Sequence, residues 1–219
     1  MKNTPFIAVT SQPVPYHADT TAIFNTLCQQ NSNSLLLDSA EIGSKNSLQS
    51  LILINASVKI TCLGNQVTFR ALNANGKQVL NEIHPVLSQL GTISAVNFEN
   101  EFSVQFAPLD NQLDEDSKLQ AATIFDGLRV ISNHYQHSST PVFLGGLFAY
   151  DLVANFIPMQ GVELKDDGIN CPDYSFYLAE NLITIDHQSQ QATLKSFCFS
   201  QEEQVEVAKT ALSITQKLK

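Results

Sequence analysis

The pattern of apolar and polar positions predicts helices and antiparallel strands in alternation along the chain. Residues 19–30 begin with residue types that favour a helix start. Ile23, Phe24, Leu27 and Cys28 then follow at helical spacing. A short amphipathic helix is therefore predicted here.

Alternation with a period of two predicts three hairpin regions. The first covers residues 51–72 and turns at Gly64-Asn65, a dipeptide that favours a tight hairpin turn. The second turns at Glu99-Asn100. The third covers residues 172–200, with two or three strands and a polar turn at His187 to Gln191.

Helical composition marks two further segments. Residues 76–90 look helical, but Pro85 is expected to kink the segment or to end its first half. The last segment, 202–219, starts acidic and ends in lysines, as the helix dipole favours. Its predicted apolar face consists of Val205, Ala208, Leu212 and Thr215.

The longest predicted helix covers residues 113–136. Its apolar stripe consists of Leu119, Ala122, Phe125, Leu128 and Ile131. Asp114, Glu115 and Asp116 stand in the first turn, and they are interpreted as favourable partners of the helix dipole rather than as a catalytic carboxylate cluster.

The segment 142–156, VFLGGLFAYDLVANF, predicts a buried strand. Its two adjacent glycines, Gly145 and Gly146, indicate that another backbone or a large side chain approaches closely. Tyr150 and Asp151 are expected to have a structural role in the sheet.

The stretch SLLLDSAEIGSK, residues 34–45, is unusual because three leucines that predict a buried strand stop at Asp38 and Ser39. Both residue types favour the start of a turn or helix, here at Ala40. The pattern alone therefore favours a capping role for this pair.

Composition predicts an ordinary globular protein: 219 residues are 43% hydrophobic and 15% charged. The simplest organisation is a single α+β domain. A formal net charge of -9, with only twelve scattered Lys and Arg, argues against a nucleic-acid or anionic-membrane partner. No signal-peptide pattern and no run of eighteen apolar residues is present, so a cytoplasmic location without membrane contact is expected.

Candidate chemistry is sparse in the motifs. Gly145-Gly146 lacks the rest of a phosphate loop, and Ser39 and Cys171 lack an evident base. His134, His137 and His187 are interpreted as solvent-facing imidazoles rather than metal ligands, and no metal site is predicted. The four cysteines are expected to be reduced core thiols; they are Cys28, Cys62, Cys171 and Cys198.

Five blocks of sequence carry a resemblance to a known family. They are LLLDSAEIGSKNSLQSL (35–51), ITCLGNQVTFRAL (60–72), LDEDSKL (113–119), FLGGLFAYDLVANF (143–156) and CPDYSFYLAENLITIDHQ (171–188). In this order they resemble the N-terminal part of anthranilate synthase component I, the chorismate-using subunit of tryptophan biosynthesis. The resemblance implies mostly antiparallel sheets flanked by helices.

The resemblance also implies a division of labour. The whole subunit is a lyase that converts chorismate and glutamine or ammonia to anthranilate and pyruvate, with Mg²⁺. Glutamine is supplied through an amidotransferase, component II. Residues 1–219 are expected to form one regulatory N-terminal domain, without catalytic residues or a cofactor of its own, while chorismate and Mg²⁺ bind a C-terminal domain outside this chain. The alternative is a stand-alone, non-catalytic binding or interaction module with the same fold.

A feedback site for L-tryptophan is the most specific implication. The family motif Leu-Leu-Glu-Ser matches a segment whose last three residues are Leu37, Asp38 and Ser39, with Asp in place of Glu. A further position, Lys in close relatives, is Gln49 here. A zwitterionic amino acid needs an oxygen acceptor for its ammonium and an apolar wall for its side chain, which this strand end offers.

Overall fold

An antiparallel sheet forms the centre of the structure. The computed structural model describes residues 5–29, 31–38, 48–97, 100–108, 114–138, 140–156 and 171–218. The strands within these ranges are β1 (Ala8–Val14), β2 (Leu35–Asp38), β3 (Gln49–Leu63), β4 (Gln66–Ala71), β5 (Thr92–Asn97), β6 (Glu101–Gln105), β7 (Leu144–Phe148), β8 (Tyr174–Asp186) and β9 (Gln191–Cys198). The α-helices are α1 (Thr20–Cys28), α2 (Ala74–Leu87), α3 (Glu115–Gln120), α4 (Asp126–His134) and α5 (Gln204–Lys217), and Tyr150–Asn155 forms a 3₁₀ helix. The predicted α+β fold class is confirmed.

The two longest strands, β3 and β8, organise the sheet. Its order is β1-β9-β8-β3-β4-β6-β5, with β2 beside β3 and β7 beside β8, and every pairing is antiparallel. The start of β3 pairs with β2 and its end with β4. In the same way, the start of β8 pairs with β7 and its end with β9. The register between β3 and β8 shifts from Leu53 to Val58, which marks a bulged region at mid-sheet.

Each face of the sheet carries its own apolar core. Alternate side chains along a strand point to opposite faces, so Leu53 and Leu182 join one core while Ile52 and Ile183 join the other. Helices α2 and α4 cover the first face, and α1 and α5 cover the second. Among the described residues, no helix is long and apolar enough to cross a membrane.

Elements with strong local signals are confirmed. The Asp19 side chain accepts a hydrogen bond from the Ala22 N–H and caps α1. Gly64 has φ +57° at the turn between β3 and β4, the left-handed conformation that such a turn favours. The β5–β6 and β8–β9 hairpins are also present, although the turn residues 98–99 lie outside the described ranges.

The prediction of one long helix over residues 113–136 is wrong, since α3 and α4 are separate. Asp126 accepts a hydrogen bond from the Thr123 N–H at 2.6 Å, and Ala121 is extended. Leu119 on the predicted stripe is 84% exposed. The acidic residue Asp114 does cap α3, because its carboxylate accepts hydrogen bonds from the Ser117 N–H and hydroxyl.

Two helix details also differ from the prediction. Helix α2 continues past Pro85 to Leu87. The proline lies in the last turn, so the helix loses only one backbone N–H donor close to its end. Helix α5 is rotated relative to the predicted face. Its buried residues are Val207, Ala211 and Ile214, followed by Leu218, whereas Val205 and Leu212 are exposed.

Strand β7 confirms the close approach at the glycine pair. A Cβ on Gly146 would overlap the Ser175 carbonyl oxygen and lie 2.6 Å from the Phe176 Cα on β8. The strand is buried only in part, since Phe148 is half exposed. Tyr150 is 88% exposed in the 3₁₀ helix, so the predicted structural role in the sheet is wrong for this residue.

Asp151 is likewise outside the sheet, in the same 3₁₀ helix, and is exposed. All four cysteines are free. Three are buried as expected, but Cys171 is exposed, and its assignment as a core thiol is therefore wrong.

Candidate ligand site at the end of strand β2

Strand β2 is a half-buried edge strand rather than a buried core strand. Within the described residues it pairs only with β3. Leu35 and Leu36 are partly buried, Leu37 is 40% exposed, and Asp38 is exposed. An edge strand leaves its end open to solvent, so its last side chains are accessible to a ligand.

The register divides the residues predicted to bind tryptophan between two faces of the sheet. Asp38 lies opposite Ser50, and Leu37 lies opposite Leu51. Gln49 therefore shares its face with Leu37, while Asp38 lies on the other face with Ser50. The predicted turn or helix from Ala40 and the fourth predicted residue, Ser39, lie outside the described ranges.

Both carboxylate oxygens of Asp38 accept hydrogen bonds. The Thr20 hydroxyl donates to Oδ2 at 3.3 Å, and the Ser50 hydroxyl donates to Oδ1. Thr20 is the first residue of α1, and Ser50 is fully buried on β3. Asp38 thus joins the edge strand to the central strand and to the start of a helix.

His187 extends this set of contacts. Its Nε2 lies 2.8 Å from the Ser50 hydroxyl, and its Nδ1 lies 3.2 Å from the Tyr16 hydroxyl. The Tyr16 and His187 rings meet edge to face at 5.9 Å. We call Tyr16, Thr20, Asp38, Ser50 and His187 the Asp38 cluster.

The Asp38 cluster is arranged for binding rather than for nucleophilic attack. In a catalytic triad the histidine stands between the acid and the serine and takes the serine proton. Here Ser50 stands between Asp38 and His187 and donates its proton to a carboxylate. A buried serine in this position has no access to a substrate carbonyl.

Four members of the Asp38 cluster were not predicted as site residues from the sequence. Ser50 and His187 are 137 positions apart, and only the pairing of β3 with β8 brings them together. Thr20 and Tyr16 join through the packing of α1 on the sheet. A local spacing pattern in the sequence cannot predict contacts between such distant residues.

A second polar site lies in a cavity of about 430 Å³ near the bulged region of β3 and β8. Its lining is rich in asparagine and glutamate and consists of Asn31, Asn33, Asn55, Ala56, Leu72, Asn73, Asn75, Glu180, Glu203, Glu206, Val207 and Thr210. A volume of this order suits a small molecule. No sequence pattern predicted this cavity, because its lining residues come from five separate parts of the chain.

Glu180 is the buried acid of this cavity, with 7% of its surface exposed. Its Oε2 accepts hydrogen bonds from the side-chain amides of Asn73 and Asn75, both at 2.8 Å. Burial raises the pKa of the Glu180 carboxyl; the two amides oppose this rise, and Glu203 adds to it.

The described histidines do not converge on a metal site. No group of three or more His, Cys, Asp or Glu suited to a metal occurs among the described residues. His134 is not solvent-facing as predicted, because it is largely buried and its Nε2 lies 2.9 Å from Glu82. His187 belongs to the Asp38 cluster instead.

Together, these features define a class of protein: an α+β domain built on one antiparallel sheet, with a polar side-chain cluster and a polar cavity along its two central strands. Comparison with known proteins gives the particular relatives. The chain is 84% identical to anthranilate synthase component 1 of Haemophilus influenzae over 214 residues, which is 98% of the chain and 41% of that protein. Identity is 44% to the Vibrio cholerae protein of the same name, over 91% of the chain and 38% of that protein.

The Escherichia coli anthranilate synthase component 1 is 36% identical over 90% of the chain and 37% of that protein. No family model matches the chain. The chain thus spans about two fifths of the length of these relatives. Over that share it is a homologue of anthranilate synthase component 1, and the resemblance seen in the sequence is confirmed.

Proposed function

We propose that this chain is the N-terminal, tryptophan-sensing domain of an anthranilate synthase component I. The observation that carries the proposal is the 84% identity to the Haemophilus influenzae protein across nearly the whole chain. The whole subunit would convert chorismate and glutamine or ammonia to anthranilate and pyruvate in the cytoplasm. Mg²⁺ and chorismate would bind a C-terminal catalytic domain outside residues 1–219, and component II would supply ammonia from glutamine.

The proposed feedback site is built on Leu37, Asp38, Ser39 and Gln49. Asp38 supports it as an accessible carboxylate held at a strand end, since a carboxylate is the strongest acceptor for a ligand ammonium. Leu37 offers exposed apolar surface, but it lies with Gln49 on the face opposite the Asp38 carboxylate, so the two faces would contact different parts of a ligand bound at the strand end. The shorter Asp and the uncharged Gln49 are expected to change the affinity for tryptophan relative to relatives with Glu and Lys.

The proposed regulation is allosteric. Tryptophan would favour an arrangement of the two domains that binds chorismate weakly, and chorismate would weaken tryptophan binding by the same factor. This coupling needs both domains. The chain by itself is therefore expected to bind tryptophan weakly and to form no anthranilate.

A chimera tests the proposal directly. The chain replaces the matching segment of the Haemophilus influenzae protein, and anthranilate fluorescence is followed from chorismate and ammonia during a tryptophan titration. Asp38→Ala and Ser39→Ala are expected to raise the tryptophan concentration needed for half-inhibition. Asp116→Ala, an exposed acid on α3, is the matched control and should leave that concentration unchanged.

The outcomes separate the parts of the proposal. Unchanged inhibition in both Asp38→Ala and Ser39→Ala would remove these residues from the feedback site. Anthranilate formation by the 219-residue chain alone would contradict the division into regulatory and catalytic domains.

The second candidate is a non-catalytic ligand-binding or interaction module. The cavity beside Glu180 favours it, because its volume and polar lining suit a small ligand without any catalytic domain. An inactive chimera, compared with the active unmodified Haemophilus influenzae protein, would support this candidate over the first.

A further inference from the structure

Two hydrogen bonds of the Asp38 cluster, from His187 to Ser50 and from Ser50 to Asp38, have a defined direction. A carboxylate only accepts, so the Ser50 hydroxyl uses its proton on Asp38. The Ser50 oxygen must then accept from His187, which places a proton on Nε2. In the neutral ring Nδ1 is left as an acceptor for the Tyr16 hydroxyl.

We propose that Ser50 and His187 are positioning residues for the Asp38 carboxylate, with His187 donating to Ser50 from Nε2. Neither residue contacts the ligand. Together they hold the carboxylate in the orientation that accepts a ligand ammonium. This inference rests on the proposed feedback function for its effect on tryptophan, but the state of His187 can be measured without any ligand.

The surroundings explain why the carboxylate needs such support. Asp38 is an exposed residue at the end of an edge strand, where its side chain has several accessible rotamers. Ser50 is fully buried on the fifteen-residue strand β3, and it therefore offers a fixed donor. Thr20 supplies the second donor from α1. Each carboxylate oxygen has a further lone pair, so both remain able to accept from a ligand.

Two further contacts hold His187 in place. Its backbone N–H donates to the Leu48 carbonyl at 2.9 Å, which ties the end of β8 to the start of β3. Tyr16 approaches from the segment after β1. The adjacent acid, Asp186, accepts hydrogen bonds from the backbone N–H groups of Gln188 and Ser189, and it interacts with His187 through its charge. His187 contacts Asp38 only indirectly, through the Ser50 hydroxyl.

The first test reads the tautomer in the chain itself. Nitrogen NMR of the labelled imidazole distinguishes a protonated from an unprotonated ring nitrogen at neutral pH. We expect His187 to be protonated at Nε2. Ser50→Ala and Tyr16→Phe should each shift the nitrogen that they contact. Protonation at Nδ1 alone would overturn the proposed direction.

The second test uses the chimera and compares conservative with disruptive variants. Ser50→Ala is expected to raise the tryptophan concentration for half-inhibition about tenfold, the effect of losing one hydrogen bond to a charged group. His187→Phe removes the donor to the neutral Ser50 hydroxyl and should raise that concentration about fivefold. His187→Gln retains an N–H donor towards Ser50 and should stay within about threefold of the parent. The rates in each titration are normalised to the rate of the same variant without tryptophan.

The outcomes distinguish this inference from the proposed function. If Asp38→Ala weakens inhibition while Ser50→Ala and His187→Phe do not, the positioning role is refuted and the feedback site stands. If His187→Gln is as impaired as His187→Phe, the N–H donor is not the operative feature. If Asp38→Ala has no effect, the proposed site fails, and the NMR result alone decides the direction of the cluster. Circular dichroism establishes that each variant folds.

Discussion

Asn75→Ala is expected to be among the most destabilising single substitutions in this chain. Asn75 lies in the first turn of α2 and is 2% exposed. Its side-chain amide donates to Glu180 at 2.8 Å and to the Phe197 carbonyl at 3.0 Å. Its carbonyl oxygen accepts from the Phe199 N–H at 2.6 Å. One side chain thus joins a helix start, the end of β9 and the buried acid of the cavity.

The expected magnitude follows from what the substitution leaves behind. The Phe199 N–H loses its acceptor, the Phe197 carbonyl loses this donor, and Glu180 loses one of two amide donors. Unpaired buried groups of this kind cost about 1–3 kcal/mol each, and access of water from the cavity reduces the sum. Alanine regains about 0.5 kcal/mol of helix propensity. We therefore expect a loss of about 3–5 kcal/mol in the free energy of unfolding.

The assay is equilibrium unfolding in urea, followed by circular dichroism at neutral pH. Asn33→Ala is the matched control, because Asn33 lines the same cavity and its side chain makes no hydrogen bond to another described residue. The control should change the free energy of unfolding by no more than about 0.5 kcal/mol. Equal effects of the two substitutions would refute the account of Asn75 as the central link.

Three further substitutions test other parts of the structure. Gly146→Ala should destabilise by about 3 kcal/mol or more in urea unfolding, because its Cβ would overlap the backbone of β8, whereas Leu147→Ala at the exposed neighbour should cost little. Tyr135→Phe should cost about 1.5–3 kcal/mol, since the buried hydroxyl donates to Glu82 at 2.9 Å; no change in melting temperature would contradict this. Burial raises the pKa of the Glu180 carboxyl, so the folded chain holds that proton more tightly than the unfolded chain. The folded state therefore loses stability as pH rises from about 4.5 through the folded pKa. Glu180→Gln, which keeps an oxygen acceptor, should therefore gain stability on the parent as pH rises over this window, and parallel pH profiles would contradict the assignment.

Elements whose signals are local were predictable from the sequence. Gly64-Asn65 specifies a hairpin turn through its own backbone preference, and Asp19 specifies a helix start through a bond to the next turn. The broken helix shows the limit of periodicity. Phe125 and Ile131 have helical spacing with Leu119. The Asp126 carboxylate, however, accepts a hydrogen bond from the Thr123 N–H before the second helix, and the helix is interrupted there.

Periodicity also fails to choose between two possible faces of one helix. In α5, Val205 and Leu212 form an apolar row, and Val207 and Ile214 form another at the same spacing. Contact with β9 and α1 selects the second row. The sequence contains both rows, and only the packing partner decides which is buried.

The candidate site was predictable only to the level of one strand end. The family resemblance identified Asp38, and the pattern of β2 showed where the apolar run stops. The partners of Asp38 depend on strand register, and a shift of one residue would move Ser50 to the other face. Register in this sheet follows from pairing between distant strands and from the bulge after Leu53, neither of which has a local signature.

The two polar sites depend on the same pair of strands. Strand β3 carries Ser50 near its start and Asn55 in the bulged region, while β8 carries Glu180 at the bulge and is followed directly by His187. A change that alters the β3–β8 register therefore acts on the Asp38 cluster and on the cavity together. Substitutions at Glu180 that leave the register intact should change stability without changing the His187 tautomer. That separation distinguishes a local electrostatic effect from a rearrangement of the central strands.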